Sequence, residues 1–213
     1  AYDYVVLAAG ASEPGVLKLE KGEPVNALEF LADFKKHDGN LDLGKNVVVI
    51  GGGNTAMDTA RAAKRTKGVE HVYLVYRRTK RYMPADEEEL VMAVEDGVEF
   101  KELLAPKAQE NGMLLCDVMK LGEMDASGRR GVVATGETVS VPADTIIAAV
   151  GEKVPTHFYE ACSLNLNDRG KVLVNPDTKE SSVKNVYVIG DGLGGPATVV
   201  EAIRDALAAS EAI

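Results

Sequence analysis

The chain has 213 residues, of which 46% are hydrophobic and 27% are charged, and its formal net charge is −9. A chain of this size and composition can bury the core of one large or two small domains. The negative charge argues against a nucleic-acid partner, because nothing on the surface as a whole offsets the repulsion from phosphates. No apolar run in the sequence reaches the length of a membrane span.

The two cysteines, Cys116 and Cys162, lie far apart and form no CxxC pattern. This usage is typical of a reducing compartment, so we expect a cytoplasmic protein in which both thiols are buried apolar residues. The three histidines occur in unrelated contexts, and we therefore expect neither a metal site nor a catalytic triad.

The first predicted element is a short strand at residues 3–11, which ends in the small residues Ala9 and Gly10. Small residues at a strand end would let a flat ring system approach the backbone. Residues 12–25 contain two prolines and two glycines and are predicted to form a loop or hinge. Asn26 then caps a short amphipathic helix.

Residues 46–58 predict a strand, a tight turn and the start of a helix. The run before the turn is β-branched, as expected for a strand that is buried on both faces of a parallel sheet. We expect Gly51 to permit the sharp turn and Gly53 to let the backbone approach a pyrophosphate. Ala56 is small enough for the helix to pack against the strand.

The helix after this turn is predicted to begin at Asn54 and Thr55 and to run to about Arg65. Its unpaired N–H groups and positive dipole end would point at the phosphates. A second strand at residues 71–76 completes a βαβ unit, the context that the glycine motif requires. The alternatives are a glycine-rich turn that binds nothing and one that holds another adenosine ligand, such as S-adenosylmethionine.

Cations are concentrated directly after the second strand, where Arg77, Arg78, Lys80 and Arg81 occur within five residues and no acid precedes Asp86. NAD enzymes usually place an acid here for the ribose hydroxyls, whereas arginine accommodates the 2′-phosphate of NADP. We therefore predict that Arg77 and Arg78, with Arg81 as a further candidate, bind the 2′-phosphate of NADPH. The alternative from charge alone is a solvated basic loop.

The remaining elements of the middle section alternate in type. Residues 84–95 predict a helix with its proline in the first turn, and residues 98–104 predict a third parallel strand. Between residues 105 and 141 the pattern changes to short alternating strands, with a strong hairpin signal at Asn111-Gly112 and a second turn at residues 126–128. We expect a three-stranded antiparallel meander laid on the parallel sheet.

Residues 144–151 repeat the form of the first strand, with an aspartate, an apolar run, two alanines and a final glycine, Gly151. This internal echo indicates two related nucleotide-binding units, of which only the second is complete. A strand at residues 185–189 then leads into a second glycine-rich turn, and a helix from about Thr198 closes the chain.

Three motifs carry a family likeness: the glycine turn at residues 51–58, Tyr76-Arg77-Arg78 followed by Met83-Pro84-Ala85, and Gly190-Asp191 followed by residues 196–203. With these motifs, the chain resembles the two-dinucleotide-domain flavoprotein oxidoreductases of the glutamate synthase small-subunit type. That group includes the flavin half of dihydropyrimidine dehydrogenase. The resemblance covers essentially the whole chain.

The resemblance implies an α/β, Rossmann-like fold in which an NADPH domain, with a parallel sheet and an antiparallel β-meander, is inserted into an FAD domain. We accordingly expect residues 1–25 to be a residual FAD-domain strand and hinge. Residues 26–151 would be the complete NAD(P)H-binding domain, and residues 152–213 the C-terminal part of the FAD domain. The FAD domain would be truncated, because nothing before the first strand supplies the family's flavin fingerprint or its iron–sulfur cysteines.

The resemblance also implies roles in FAD binding for the second glycine-rich turn. In such proteins the aspartate at the position of Asp191, after Gly190, hydrogen-bonds the ribityl chain of the flavin. The following helix points its N-terminus, here Thr198 and Val199, at the isoalloxazine ring. Backbone N–H groups there would stabilise negative charge on the reduced flavin.

The expected function is the NADPH-binding portion of a flavoprotein oxidoreductase that passes hydride to FAD and electrons on to iron–sulfur centres or a partner subunit. The expected partners are the missing segments of the same polypeptide and a second copy of the chain at the exposed sheet edge near residues 4–7. The cofactors carry the reaction, so no catalytic side chain is predicted. The alternatives are a non-catalytic module that senses NADP and an NADH-specific flavoprotein reductase.

Overall fold

The computed structural model describes residues 2–124 and 130–213. Its strands, labelled in chain order, are β1 (Val5–Leu7), β2 (Glu13–Pro14), β3 (Val25–Asn26), β4 (Asn46–Gly51), β5 (His71–Tyr76), β6 (Glu99–Glu102), β7 (Leu104–Glu110), β8 (Met113–Met124), β9 (Arg130–Pro142), β10 (Thr145–Ala149), β11 (Glu152–Lys153) and β12 (Val186–Val188). Its α-helices are α1 (Ala27–Lys36), α2 (Asn54–Arg65), α3 (Glu87–Glu95), α4 (Thr156–Ala161), α5 (Asp191–Gly194) and α6 (Val199–Ala212). A short 3-10 helix covers Lys80–Tyr82.

The chain divides into two compact units. The terminal unit consists of Ala1–Gly15 with Glu152–Ile213, and the central unit is Val16–Gly151. Among the described helices, none is long and apolar enough to cross a membrane.

The central unit is built on a five-stranded parallel sheet with the strand order β3-β10-β4-β5-β6. Strand β4 lies in the middle of the sheet, and its residues Val47, Val48 and Val49 are fully buried. The predicted strand, turn, helix and second strand of the βαβ unit are therefore confirmed, as is the third parallel strand, β6.

Successive residues of β4 point to opposite faces of the sheet, and each face has its own core. On one face, Val47 and Val49 belong to a buried cluster that includes Phe30 of α1 and Met57 of α2. The side chain of Asn26 caps α1, as the sequence predicts, because it accepts hydrogen bonds from the N–H groups at positions 28 and 29 at 2.8 and 3.3 Å.

On the other face of the sheet, Val48 and Ile50 pack with Leu114, Cys116 and Val141 of strands β8 and β9. The antiparallel sheet β7-β8-β9 thus covers this face, and the predicted meander is confirmed. Its first hairpin turns at Asn111 and Gly112, which both adopt the positive φ angles, 51° and 72°, of the predicted turn. The turn predicted at residues 126–128 lies outside the described residues.

The predicted start of α3 is wrong. Its N-cap is Asp86, in an extended conformation, so Pro84 precedes the helix instead of lying in its first turn. The physical reason is a tertiary contact, since the N–H of Ala85 donates to the carbonyl of Gly52 at 3.0 Å and holds this segment against the glycine turn.

In the terminal unit, β1 pairs in parallel with β12, and β2 pairs in antiparallel orientation with β11. Among the described residues β1 has no second neighbour, and Val5 and Val6 are 43% and 45% exposed. The sequence predicts this exposed edge. A small core forms around Tyr159, with Leu164, Val172 and Val188.

The expectation that both thiols are buried is wrong for one of them. Cys116 is buried in the central unit, and burial raises the pKa of its thiol to about 12. Cys162 is exposed because it follows the last turn of α4 as its C-cap.

Candidate nucleotide-binding site

Gly51, the last residue of β4, is required by close packing. A Cβ atom at this position would overlap the carbonyl oxygen of Ala149 in β10 and lie 2.9 Å from the Cβ of Ala56 in α2. The φ angle of Gly51 is not in the left-handed region. Glycine is predicted here for a sharp turn, and the structure shows a packing reason for it. Its missing side chain lets two strands and a helix meet.

Gly53 is open on the side where a ligand would approach. It is the N-cap residue of α2 and provides no side-chain cap, and a Cβ atom there would meet only Cγ of Pro84, at 3.9 Å. Among the described residues, none accepts a hydrogen bond from the N–H groups of Asn54 and Thr55. The positive end of α2 is therefore left open, and such an end attracts anions.

Gly52 joins the turn to the end of β5. A Cβ atom on Gly52 would overlap the ring of Tyr76, whose hydroxyl donates to the carbonyl of Tyr82 at 2.8 Å. Since β4 and β5 run in parallel with Ile50 opposite Val75, their carboxyl ends lie side by side. Arg77 thus begins directly beside the glycine turn, where ligands of open α/β sheets bind.

The basic segment, which we define as residues 77–81, concentrates four cationic side chains in five residues. Arg77, Lys80 and Arg81 are exposed and Arg78 is half-buried. None of these four side chains forms a salt bridge within residues 2–124 and 130–213. In a chain with a net charge of −9, this is a local field that favours a phosphate dianion.

Arg81 does not share the immediate surroundings of the other two predicted arginines. It lines a pocket of about 420 Å³ with Lys80, Met83 and Leu90, and neither Arg77 nor Arg78 contributes to that pocket. The glycine turn does not line it either. Sequence reasoning missed the pocket, because it depends on how the 3-10 helix packs against α3.

A second missed feature closes the segment before α3 onto the start of α2. The side chain of Asn54 accepts from the N–H of Asp86 at 3.1 Å and donates to its carboxylate at 3.3 Å. These groups are 32 positions apart, and no local pattern in the sequence indicates the pair.

In the terminal unit, Gly190 has φ +65° and precedes Asp191, whose Oδ1 accepts from the N–H of Ala197 at 3.1 Å. Asp191 therefore shapes the loop between α5 and α6. Gly10, at the end of β1, has φ +71°, and a Cβ atom on it would meet no atom within 4 Å. Ala9 beside it is exposed. These open backbone positions fit the approach of a flat ring.

The start of α6 differs from its prediction in one respect. Thr198 forms a capping box, in which its hydroxyl accepts from the N–H of Glu201 at 3.3 Å and its own N–H donates to the Glu201 carboxylate at 3.1 Å. The N–H of Thr198 therefore already has a partner, and the N–H of Val199 is the candidate for a ligand. These hydrogen bonds from Thr198 lower the pKa of Glu201, so a negative charge stands at this helix end.

A buried hydroxyl, that of Tyr159, lies next to Gly192 in the second glycine-rich turn. The Tyr159 hydroxyl has no hydrogen-bond partner in the described residues, and a Cβ atom on Gly192 would overlap it. The pKa of Tyr159 is raised, mainly by burial.

In the central unit, Gly151 follows β10 with φ +92°, and a Cβ atom on it would meet no atom within 4 Å, as for Gly10 after β1. Within residues 2–124 and 130–213 no group of three or more histidine, cysteine, aspartate or glutamate side chains could hold a metal ion.

Comparison with known proteins identifies relatives along the whole chain. The sequence profile of the pyridine nucleotide-disulphide oxidoreductases matches residues 1–206. YgfK of Escherichia coli K12, named as a candidate oxidoreductase, is 42% identical over 216 residues, which cover all of this chain and 21% of YgfK. The small chain of NADPH glutamate synthase from Azospirillum brasilense is 37% identical over 211 residues, which cover 90% of this chain and 43% of that one.

Among solved structures, FprA from Mycobacterium tuberculosis in complex with NADPH superposes with a TM-score of 0.79 at 20% identity. The match covers 99% of this chain and 63% of FprA. The predicted α/β oxidoreductase fold is thus confirmed, as is the resemblance to glutamate synthase small subunits. The chain spans only about a fifth of YgfK and less than half of the Azospirillum protein.

Proposed function

The chain belongs to the pyridine nucleotide-disulphide oxidoreductase family, and from this premise we propose that it is the NADPH-binding portion of a flavoprotein oxidoreductase. When bound, NADPH supplies a hydride and FAD accepts it. The chain contributes binding, orientation and electrostatics.

The observation that carries this proposal is a cluster of four cations, none of them in a salt bridge with a described residue, beside an open helix N-terminus. Gly53 and the N–H groups of Asn54 and Thr55 would hold the pyrophosphate. Arg77 and Arg78 would hold the 2′-phosphate that distinguishes NADPH from NADH. Arg81 lies three residues further along the chain. It would add to the positive potential around the 2′-phosphate rather than contact that phosphate directly.

We further propose that the terminal unit is part of an FAD domain. The sequence predicts residues 1–25 and 152–213 for this domain and residues 26–151 for the NADPH domain, whereas residues 16–25 belong to the central unit of the structure. The open edge of β1 supports this, as does an exposed apolar face on α6. The exposed fractions on that face are 75% for Val199, 75% for Val200, 55% for Ile203 and 59% for Leu207. In the longer protein, other segments of the same polypeptide would cover these surfaces.

Within this FAD domain the chain's residues would position the flavin. One carboxylate oxygen of Asp191 holds the loop, and the other would accept from a ribityl hydroxyl. Ala9, Gly10 and Gly190 would let the backbone approach the ring system. In the central unit, Gly151 after β10 is a further open position where a cofactor would approach the backbone. The N–H of Val199 would face the flavin, although the charge of Glu201 beside it opposes the build-up of negative charge there.

Electrons would pass from the flavin to iron–sulfur centres or to a partner subunit. The motifs also resemble those of the flavoprotein subunit of selenate reductase, and we propose that the chain is related to that subunit. A cytoplasmic location is likewise proposed, on the basis of two cysteines that form no disulfide.

Equilibrium binding of NADPH and NADH to the chain, followed by nicotinamide fluorescence, tests the proposal. NADPH should bind more tightly, and the double substitution Arg77→Ala/Arg78→Ala should weaken NADPH by about a hundredfold while leaving NADH nearly unchanged. The matched control is Lys35→Ala/Lys36→Ala, which removes the same charge from exposed positions at the end of α1.

Tighter binding of NADH would establish the NADH-specific alternative instead. Equal losses of NADPH affinity in the two double variants would mean that net charge, rather than the site, is responsible. In the longer protein loaded with FAD, loss of flavin absorbance on adding NADPH is expected. A flavin that stays oxidised would favour the sensing module.

A further inference from the structure

In the described residues, three hydrogen bonds join the basic segment to distant parts of the chain. The carbonyl of Arg78 accepts from the N–H of Leu103 at 3.2 Å, and the Arg78 side chain donates through Nε to the carbonyl of Arg130 at 2.9 Å. The third bond is donated by the N–H of Lys80 to the Glu102 carboxylate at 3.0 Å. The segment is thus fixed by neighbouring strands before any ligand arrives.

Glu102 is well placed to act as a fixed acceptor. It is the last residue of β6 and lies opposite Tyr76, the last residue of β5, in the parallel register of the sheet. The sheet therefore sets the distance between its backbone and the segment that begins at Arg77. Its side chain reaches the main chain of that segment at Lys80.

The choice of an acid at this position is unusual on electrostatic grounds. A carboxylate that bonds the main chain of a basic segment lowers the attraction of that segment for a phosphate dianion. Yet Glu102 forms no salt bridge with any described side chain and bonds a main-chain N–H instead. Its direct contact is therefore with the main chain of the segment, so it acts on the shape of the segment as well as on its field.

We propose that Glu102 is a positioning residue for the 2′-phosphate site, which it supports by fixing the backbone between Arg78 and Arg81. This inference rests on the proposed NADPH function. The hydrogen bond from Nε of Arg78 to the carbonyl of Arg130 also restrains the segment. It anchors the guanidinium at its inner nitrogen and leaves the terminal amino groups, which donate to no described residue, available to a ligand.

The two possible effects of Glu102 have opposite signs, and this makes the proposal testable. If only its charge matters, then removing the carboxylate should tighten NADPH binding. If its role is to position the segment, Glu102→Ala should weaken NADPH binding by about fivefold, the scale of one hydrogen bond, with little change for NADH. Glu102→Gln keeps an acceptor oxygen without the charge, and should bind NADPH as tightly as the wild type or more so.

The experiment measures the dissociation constants of NADPH and NADH for the wild type, Glu102→Ala and Glu102→Gln. The control variant is Glu99→Ala on the same strand, whose carboxylate lies near His71 and Lys101 and not near the basic segment. Urea unfolding of each variant identifies any general loss of structure. The expected pattern is a fall in the NADPH-to-NADH preference for Glu102→Ala alone, with rescue by glutamine.

Tighter NADPH binding by both Glu102 variants would overturn the proposal, because it would show a purely electrostatic role. Equal weakening of NADPH and NADH by Glu102→Ala would also overturn it, because it would show an unspecific structural role. A wild-type chain without preference for NADPH would overturn the proposed function itself, and this inference with it.

Discussion

Two glycine-rich turns join a strand to a helix in this molecule, and they are stabilised in opposite ways. In the central unit, β4 is the middle strand of a five-stranded sheet, and half of the twelve residues of α2 are buried. In the terminal unit, β12 has three residues and pairs with β1, while α6 buries only two of its fourteen. The first turn depends on packing and the second on local hydrogen bonds.

The helix N-termini show what this difference means for binding. Because packing secures α2, its first N–H groups need no side-chain cap and stay open to a phosphate. Helix α6 has little packing, and the capping box of Thr198 and Glu201 secures its start. The central unit therefore presents a helix end without a side-chain cap, whereas in the terminal unit the capping carboxylate of Glu201 stands beside the open N–H of Val199.

The largest difference between the two regions is expected from truncating one side chain on each helix. Met57→Ala in α2 should lower the free energy of unfolding by about 3 kcal/mol, because Met57 is fully buried. Val200→Ala in α6 should change it by less than about 0.5 kcal/mol, because Val200 is 75% exposed. Urea denaturation followed by circular dichroism measures both. A comparable loss for Val200→Ala would show that the α6 face is covered in solution.

In the glycine turn after β4, substitutions at two glycines distinguish a role in packing from a role in ligand binding. Gly51→Ala should destabilise the chain by about 2 kcal/mol, because its Cβ would overlap the Ala149 carbonyl oxygen. Gly53→Ala should leave stability within about 0.5 kcal/mol, since only Pro84 is near, but should weaken NADPH binding. Thermal unfolding and nucleotide titration distinguish the two effects. Unchanged NADPH affinity in Gly53→Ala would contradict the placement of the pyrophosphate.

The smallest effect concerns acid stability of the central unit. Hydrogen bonds from the N–H groups of Asn46 and Lys45 lower the pKa of Asp144. A depressed pKa in the folded state contributes stability above the unfolded pKa of about 4 and loses it as the pH falls further. Asp144→Asn should therefore lose less stability on acidification than the wild type. Asp42→Asn, at an exposed loop position, is the control, and an equal response in both variants would exclude this cause.

The sequence predicts the parts of the fold that depend on local pattern. The β-branched run, the glycine turn and the cap at Asn26 act over a few residues, so α1, α2, β4 and β5 follow from such local patterns. The basic segment is also visible locally, because its four cations are consecutive or nearly so.

The contacts that shape the site come from distant parts of the chain and leave no local signal. Glu102 meets Lys80 across 22 positions, and Asn54 meets Asp86 across 32. The packing role of Gly51 depends on Ala149 in another strand. The capping box at Thr198 could have been read from the Thr-x-x-Glu pattern, which would have shown that its N–H group is already used.

The most direct test of the account is the ionisation of the 2′-phosphate of bound NADP⁺, followed by ³¹P NMR as a function of pH. Arg77 and Arg78 should favour the dianion, so the pKa of the bound 2′-phosphate should lie below that of the free nucleotide. In Arg77→Ala/Arg78→Ala the pKa should return toward the free value. A pKa that is unchanged on binding to the wild-type chain would contradict the assignment of the basic segment to NADPH.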